Sequence, residues 1–310
     1  MRQLWTYPGS KWRLMAEYSR HLPPRYRHFV SPCVGTGAEF AFKRIDRIET
    51  ANDRDRDIWN VYMVLQHARL CCHLLDLIHR TPNGREQYRY CRAILDTTPG
   101  KLPSVERAWA FLICGNICRF GLHPAVTRSW STDGKSSRRL LALPQWIAKW
   151  SERMRHVRLE CDDLLAIIRR YDDQDTCFFL DPPYPFPTRS SHSDLYRHEM
   201  TTDQHKEMLR VLVGIKGFAF LCGYENPLYE SYLWHWHRGT LETRTTVGTR
   251  KGQTAAPRKE VVWLNYDPKT GQKVARNRLF VVRRCVDYVG GIDAAQRYLD
   301  KLRRLMELPE

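Results

Sequence analysis

Residues 176–184 read Thr176-Cys177-Phe178-Phe179-Leu180-Asp181-Pro182-Pro183-Tyr184. The first five form a short β-branched and aromatic run with no polar alternation, the composition of a strand buried on both faces. Two prolines then stop it, because proline donates nothing to a sheet ladder. Asp181 therefore stands at the carboxyl end of a strand, where open α/β sheets bind their ligands. The prolines fix φ and so set the direction of the local carbonyls, while Tyr184 adds a flat π surface. A carboxylate, a fixed carbonyl and an aromatic ring suit one task, gripping a planar base that carries an exocyclic amino group. A plain turn is the alternative, since Asp and Pro are turn residues.

The chemistry follows from the base. The exocyclic nitrogen of adenine is a poor nucleophile because its lone pair is delocalised into the ring. The Asp181 carboxylate and the Pro182 carbonyl would accept its two N–H bonds and draw the nitrogen toward tetrahedral geometry. Its lone pair would then face an electrophilic methyl group, with positioning and electrostatics supplying most of the catalysis. Tyr184 would stack on the base, which has to leave the duplex to reach such a pocket. Cytosine N4 is an exocyclic amine that the same groups would treat alike.

Working upstream, Phe29 to Phe40 reads as a strand, a Gly35-Thr36-Gly37 turn and a helix start. Glycines there let the backbone approach a ligand closely. It is not a dinucleotide fingerprint, because Phe40 occupies the third glycine position. Ile48 to Asp53 reads as a second short strand tipped by an acid, well placed for ribose hydroxyls. Tyr7-Pro8-Gly9-Ser10-Lys11-Trp12 places an aromatic and a cation in a loop before a helix.

In this order the pieces resemble the D12-class (Dam-like) DNA adenine-N6 methyltransferases, most closely the phage and prophage branch, over roughly residues 5–266. The resemblance rests on residues 7–12, 32–37, 52–53 and 181–184, then on Tyr196 to Met200, Lys216 to Tyr224 and Glu260 to Trp263. It implies S-adenosyl-L-methionine as cofactor, with Tyr7, Lys11, Gly35, Gly37, Asp53, Asp163 and Asp181 around it and Asp181 also serving the target amine. Asp162 fits the cofactor-adenine position equally well by a one-residue slip. Cys33 departs from the pattern, where an aromatic is usual. A long Gly- and Asn-rich recognition hairpin is not recognisable, so its sequence-reading residues do not carry over.

Fifty Lys and Arg against 34 Asp and Glu give a net charge of +16, which favours a polyanionic partner such as double-stranded DNA. Candidate nucleic-acid contacts are Asn116, Arg119, Arg128, Arg138, Arg139, Arg189, Arg250 and Lys251, and the basic run 244–259, broken by Gly, Thr and Pro, reads as a mobile loop. The expected architecture is α/β, a doubly wound, mostly parallel sheet with a helical insert. Residues 1–58 and 152–266 would form the catalytic core. Residues 59–151 would form the insert, a candidate target-recognition region, and 267–310 an extension ending in an amphipathic helix over 293–306. Within the insert, 54–115 reads mostly helical, 116–137 irregular, and a further helix runs from about Pro144 to Met154.

Ten cysteines are scattered without a Cys-x-x-Cys pair, so no metal site is expected. No segment reads as a signal peptide or a membrane span, and reduced thiols fit a cytoplasmic protein. The oligomeric state, monomer or dimer, is open. Alternatives to adenine-N6 methylation are cytosine-N4 methylation, methylation of RNA, and a basic DNA-binding protein that kept the fold without the activity.

Overall fold

The computed structural model describes residues 1–118, 134–188, 196–244 and 257–274. In chain order the elements are α1 (Met15–Tyr18), β1 (His28–Ser31), α2 (Ala38–Phe42), β2 (Ile48–Asn52), α3 (Arg56–Gln66), α4 (Ala68–His79), α5 (Arg85–Asp96), α6 (Val105–Ile117), α7 (Gly134–Met154), β3 (Arg158–Glu160), α8 (Leu164–Tyr171), β4 (Thr176–Leu180), α9 (Thr202–Val213), β5 (Phe218–Tyr224), α10 (Pro227–Leu233), β6 (His237–Arg244) and β7 (Pro257–Leu264).

The expected strand at 176–180 is β4, buried at all five positions. It pairs in parallel with β1 on one side and β5 on the other. The seven strands run in the order β3-β2-β1-β4-β5-β7-β6. The first five are parallel, and β7 and β6 close one edge as an antiparallel pair. This is a doubly wound, mostly parallel α/β sheet, as expected.

Strand alternation explains the two layers. Phe29, Phe179, Phe220 and Val262 point into one apolar cluster, shared with α3 to α7. Their neighbours Val30, Phe178, Leu221 and Trp263 point into the other, shared with α8, α9 and α10. From β1 the chain winds outward through β2 to β3, whereas β4 leads the opposite way to β5. The switch point therefore lies between β1 and β4, and a crevice opens at their carboxyl ends.

Helices α3, α6 and α7 position the amino-terminal segment. Trp5 is buried, 5.7 Å from the Tyr62 ring of α3 and 5.4 Å from the Phe111 ring of α6. The Trp150 Nε1–H of α7 donates to the Arg2 carbonyl at 2.8 Å, and the Thr6 amide donates to the Gly115 carbonyl at 3.1 Å. The loop from Tyr7 to Lys11 is thereby held against the glycine turn.

Three expectations need correction. The segment 116–137 is not irregular throughout: α6 runs to Ile117 and α7 starts at Gly134, with Pro144 inside it. Proline removes one backbone donor from a helix interior. The buried stripe Leu140, Leu143, Ile147 and Trp150 nevertheless keeps the helix against the core. The ends of the basic run 244–259 belong to β6 and β7, where Arg244 is the register partner of Pro257. Asn116 is buried, and both N–H bonds of its amide are taken, by the Leu4 carbonyl at 2.7 Å and the Leu112 carbonyl at 2.8 Å. It anchors the amino-terminal segment and is not available to read a base. The expected terminal helix over 293–306 lies outside the described residues, as do Arg119, Arg128, Arg189, Arg250 and Lys251.

Candidate active site

At the switch point a cleft of about 280 Å³ is lined by residues that include Tyr7, Lys11, Gly35, Asp53, Asp162, Asp163 and Asp181, with Cys33, Glu39, Pro183 and Tyr196 to Met200 also on its walls. One turn of the chain shapes each wall. The β1 tip leads into Val34-Gly35-Thr36-Gly37, closed by the Gly37 amide donating to the Val34 carbonyl at 2.7 Å. Gly35 and Gly37 have φ of 47° and 67°, the left-handed region that glycine tolerates. A methyl group at Gly37 would lie 2.7 Å from Tyr62 Oη and 3.0 Å from the Trp150 ring, so Gly37 packs beneath the cleft. At Gly35 it would meet only the Tyr7 ring, at 3.8 Å.

The tip of β2 supplies Asn52 and Asp53. The Asn52 amide joins the strand tips, donating to the Pro32 carbonyl at 2.8 Å and the Asp162 carbonyl at 3.0 Å while accepting from the Asp162 amide. Asp53 accepts from the Gly35 amide and the Asp55 amide, both at 2.9 Å. Burial, with the nearby charge of Asp55 adding to it, raises Asp53 to about 7. Two acids follow β3. Asp163 caps α8 by accepting from the Leu165 amide at 2.9 Å, and Asp162 is paired with Arg170 at 2.7 Å.

Asp181 directly follows β4, as the sequence implies. Its Oδ1 lies 2.8 Å from Lys11 Nζ, which also donates to the Gly9 carbonyl at 2.8 Å. Burial raises the Asp181 carboxyl above the usual carboxylate range, with the Lys11 ammonium and the Tyr184 hydroxyl pulling the other way. For Lys11 burial opposes the charge, yet Asp181 and then Glu260 outweigh it and hold the ammonium well above its ordinary value. Glu39, which opens α2 and lines the cleft, accepts from Ser31 Oγ at 2.5 Å and is pushed up to about 8 by burial.

Tyr184 differs from the exposed platform expected of it. The ring is 8% exposed and behind the cleft wall. Lys11 Nζ sits 4.7 Å from its centroid, the Tyr224 ring meets it edge-on at 4.8 Å, and its hydroxyl donates to Glu260 Oε2 at 2.8 Å. Pro182 is also buried, and Pro183 lines the cleft instead. On the opposite rim Tyr196 packs on Tyr7 with centroids 5.7 Å apart, and its hydroxyl donates to the Pro8 carbonyl at 3.3 Å. Arg197 pairs with Asp55 and Asp57, and Asp57 is held in turn by Arg107 of α6.

Glu39, Arg197 and Glu260 are not among the expected site residues, although Arg197 and Glu260 lie in the segments 196–200 and 260–263 on which the resemblance rests. Glu260 carried the clearest signal, a lone acid opening the apolar run Val261-Val262-Trp263.

A doubly wound sheet with a glycine turn after β1, an acid after β2 and Asp-Pro-Pro-Tyr after β4 defines an α/β methyltransferase. The chain belongs to the D12 class N6 adenine-specific DNA methyltransferases, whose family model matches residues 7–219. It is also similar to the type II methyltransferase M1.LlaDCHI of Lactococcus lactis subsp. cremoris, at 24% identity over 277 residues, covering 86% of this chain and 96% of that protein. The activity is therefore methylation of adenine N6 in DNA, with S-adenosylmethionine as methyl donor. The residues present suit that cofactor: a glycine turn with left-handed backbone, an acid at the second strand tip and an aromatic ring over the turn. No described helix is long and apolar enough to cross a membrane.

Proposed function

We propose that Asp181 and the Pro182 carbonyl receive the target amine, and that Tyr7, Lys11, Gly35, Asp53 and Asp163 build the cofactor's half of the cleft, with Gly37 shaping the turn from beneath it. The observation that carries this reading is the place of Asp181. It follows β4 at the switch point, lines the same cleft as Gly35 of the glycine turn, and is fixed by Lys11 at 2.8 Å. S-adenosylmethionine, when bound, supplies the electrophilic methyl group. As N6 forms its new bond to carbon it gains positive character, which the Asp181 carboxylate stabilises from within a desolvated site. The carbon–sulfur bond would break as the new bond forms, its electron pair staying on sulfur, and one N6 proton passes to the Asp181 carboxylate and on to solvent, which restores the neutral amine. Asp163 is proposed for the cofactor's adenine with Asp162 as the alternative: both line the cleft, Asp162 paired with Arg170 at 2.7 Å and Asp163 with Arg54 at 3.3 Å.

Adenine reaches this cleft by leaving the duplex. A fluorescent adenine analogue at the target position is therefore expected to brighten on binding, and unchanged emission would argue against flipping. Tyr184 packs behind the cleft wall, so Phe in its place keeps the packing of the ring and loses only what the hydroxyl contributes.

On the DNA side, exposed Arg138 and Arg139 on α7, the latter beside Thr6 at 3.3 Å, support the insert as a DNA-facing surface. With the net charge of +16, phosphate contacts dominate affinity. Log affinity then falls with log salt by about 0.9 per phosphate contact. The methylated adenines would share at most a short or degenerate context. Modification-sensitive sequencing of DNA from expressing cells tests this, and one sharply defined motif of four or more base pairs would overturn the low specificity. A place in restriction-modification is supported by the likeness to a type II methyltransferase.

A further inference from the structure

Glu260 lies on β7, across from Tyr224 of β5 in the antiparallel register. It is 6% exposed, and it accepts the Tyr184 hydroxyl at 2.8 Å. A buried carboxylate is costly unless hydrogen-bonded or paired, and no step of methyl transfer described above uses this one. Its surroundings give it a use. Lys11 Nζ stands between two carboxylate systems. It contacts Asp181 at 2.8 Å and lies over the Tyr184 ring at 4.7 Å, while the ring's hydroxyl is anchored on Glu260.

The charges can be counted. Asp181 and Lys11 alone form a neutral pair, which weakens the carboxylate's attraction for positive charge growing on N6. A second buried carboxylate close by restores a net charge of −1 to the group. Electrostatic coupling of Glu260 to Lys11 and to Tyr184 agrees with its placement. Orientation is the second consequence. With Lys11 on its face, Tyr224 at its edge and Glu260 on its hydroxyl, the Tyr184 ring has one position, and the Pro182–Tyr184 backbone has one with it.

We infer that Glu260 is a positioning residue for methyl transfer: through the Tyr184 hydroxyl it fixes the Asp-Pro-Pro-Tyr turn, and through its charge it offsets Lys11 so that Asp181 acts as an anion toward the amine. The inference rests on Asp181 being the group that receives the target amine.

The test separates charge from orientation. Glu260→Gln keeps an acceptor for the Tyr184 hydroxyl and removes the charge. Its single-turnover rate should fall about tenfold, equivalent to about 1.4 kcal/mol of barrier, while cofactor and DNA dissociation constants stay within about twofold. Glu260→Ala should lose more than Glu260→Gln, because the ring is also released. In a Tyr184→Phe background, with no hydroxyl to hold, Glu260→Ala and Glu260→Gln should become equal.

A wild-type rate in Glu260→Gln, beside an inactive Asp181→Asn, would overturn the role of Glu260 and leave that of Asp181 standing. A Glu260→Gln rate that falls only in step with cofactor affinity or thermal stability would also overturn it, because the residue would then be holding the fold. An active Asp181→Asn would remove the basis of both readings.

Discussion

Replacing Gly37 by Ala tests whether the glycine turn is built for the fold or for the ligand. Gly37 has φ of 67°, where an L-residue costs about 1–2 kcal/mol. The added methyl would stand 2.7 Å from Tyr62 Oη and 3.0 Å from Trp150, and both side chains belong to the buried core. Forcing a methyl into a packed core costs a further ~1–3 kcal/mol. The sum is about 2–5 kcal/mol, a large part of the 5–15 kcal/mol that holds a typical domain together. Gly35 is the internal control. Its φ is 47°, but a methyl there meets only the Tyr7 ring, at an ordinary 3.8 Å. Gly35→Ala should therefore cost only the backbone share, about 1–2 kcal/mol, and show its larger effect on cofactor affinity. Urea denaturation of both variants, followed by calorimetric titration with S-adenosylmethionine, measures the two quantities. Gly37→Ala within about 1 kcal/mol of wild type, or Gly35→Ala equally destabilised, would refute the assignment of Gly37 to the core and Gly35 to the cleft.

Two further outcomes follow from buried charge. Asp53 titrates near 7 in the fold against an ordinary 3.8, so its contribution to stability is full below about pH 4 and lost as pH rises through about 7. In the absence of cofactor, the melting temperature of Asp53→Asn should fall less across that range than that of wild type, and parallel curves would contradict the shift. Arg107 is buried, bonded to Asp57 and to the carbonyls of Ile94, Leu95 and Thr97. Arg107→Ala should cost about 3–5 kcal/mol in urea denaturation and Arg107→Lys should recover only part, because an ammonium cannot reach so many acceptors. A loss under 1 kcal/mol in Arg107→Ala would show that water replaces the guanidinium.

The parts of the site that lie at strand ends were legible because strand, glycine and proline signals are local. Asp181 after the buried run Thr176 to Leu180, Gly35 and Gly37 after β1, and Asp53 after β2 each follow from a few adjacent residues. The start of α7 was not legible, because Pro144 resembles a helix start and only tertiary packing of Leu140 and Leu143 shows that the helix precedes it. Asn116 misled for the same reason. Its side chain looks suited to base reading, and only the fold brings the Leu4 carbonyl to it from 112 residues away. Glu260 and Arg197 depend on contacts across 76 and 140 residues, with Tyr184 and Asp57 respectively, and no local pattern encodes such pairs.

The central claim is that the Asp181 carboxylate, held at the end of β4 by Lys11, acts on the target amine. Single-turnover methyl transfer by Asp181→Asn, with cofactor and DNA affinity measured on the same protein, tests it most directly. The account predicts a rate lower by at least about tenfold, or roughly 1.4 kcal/mol of barrier, with DNA affinity unchanged. A variant that transfers methyl groups at the wild-type rate would contradict it.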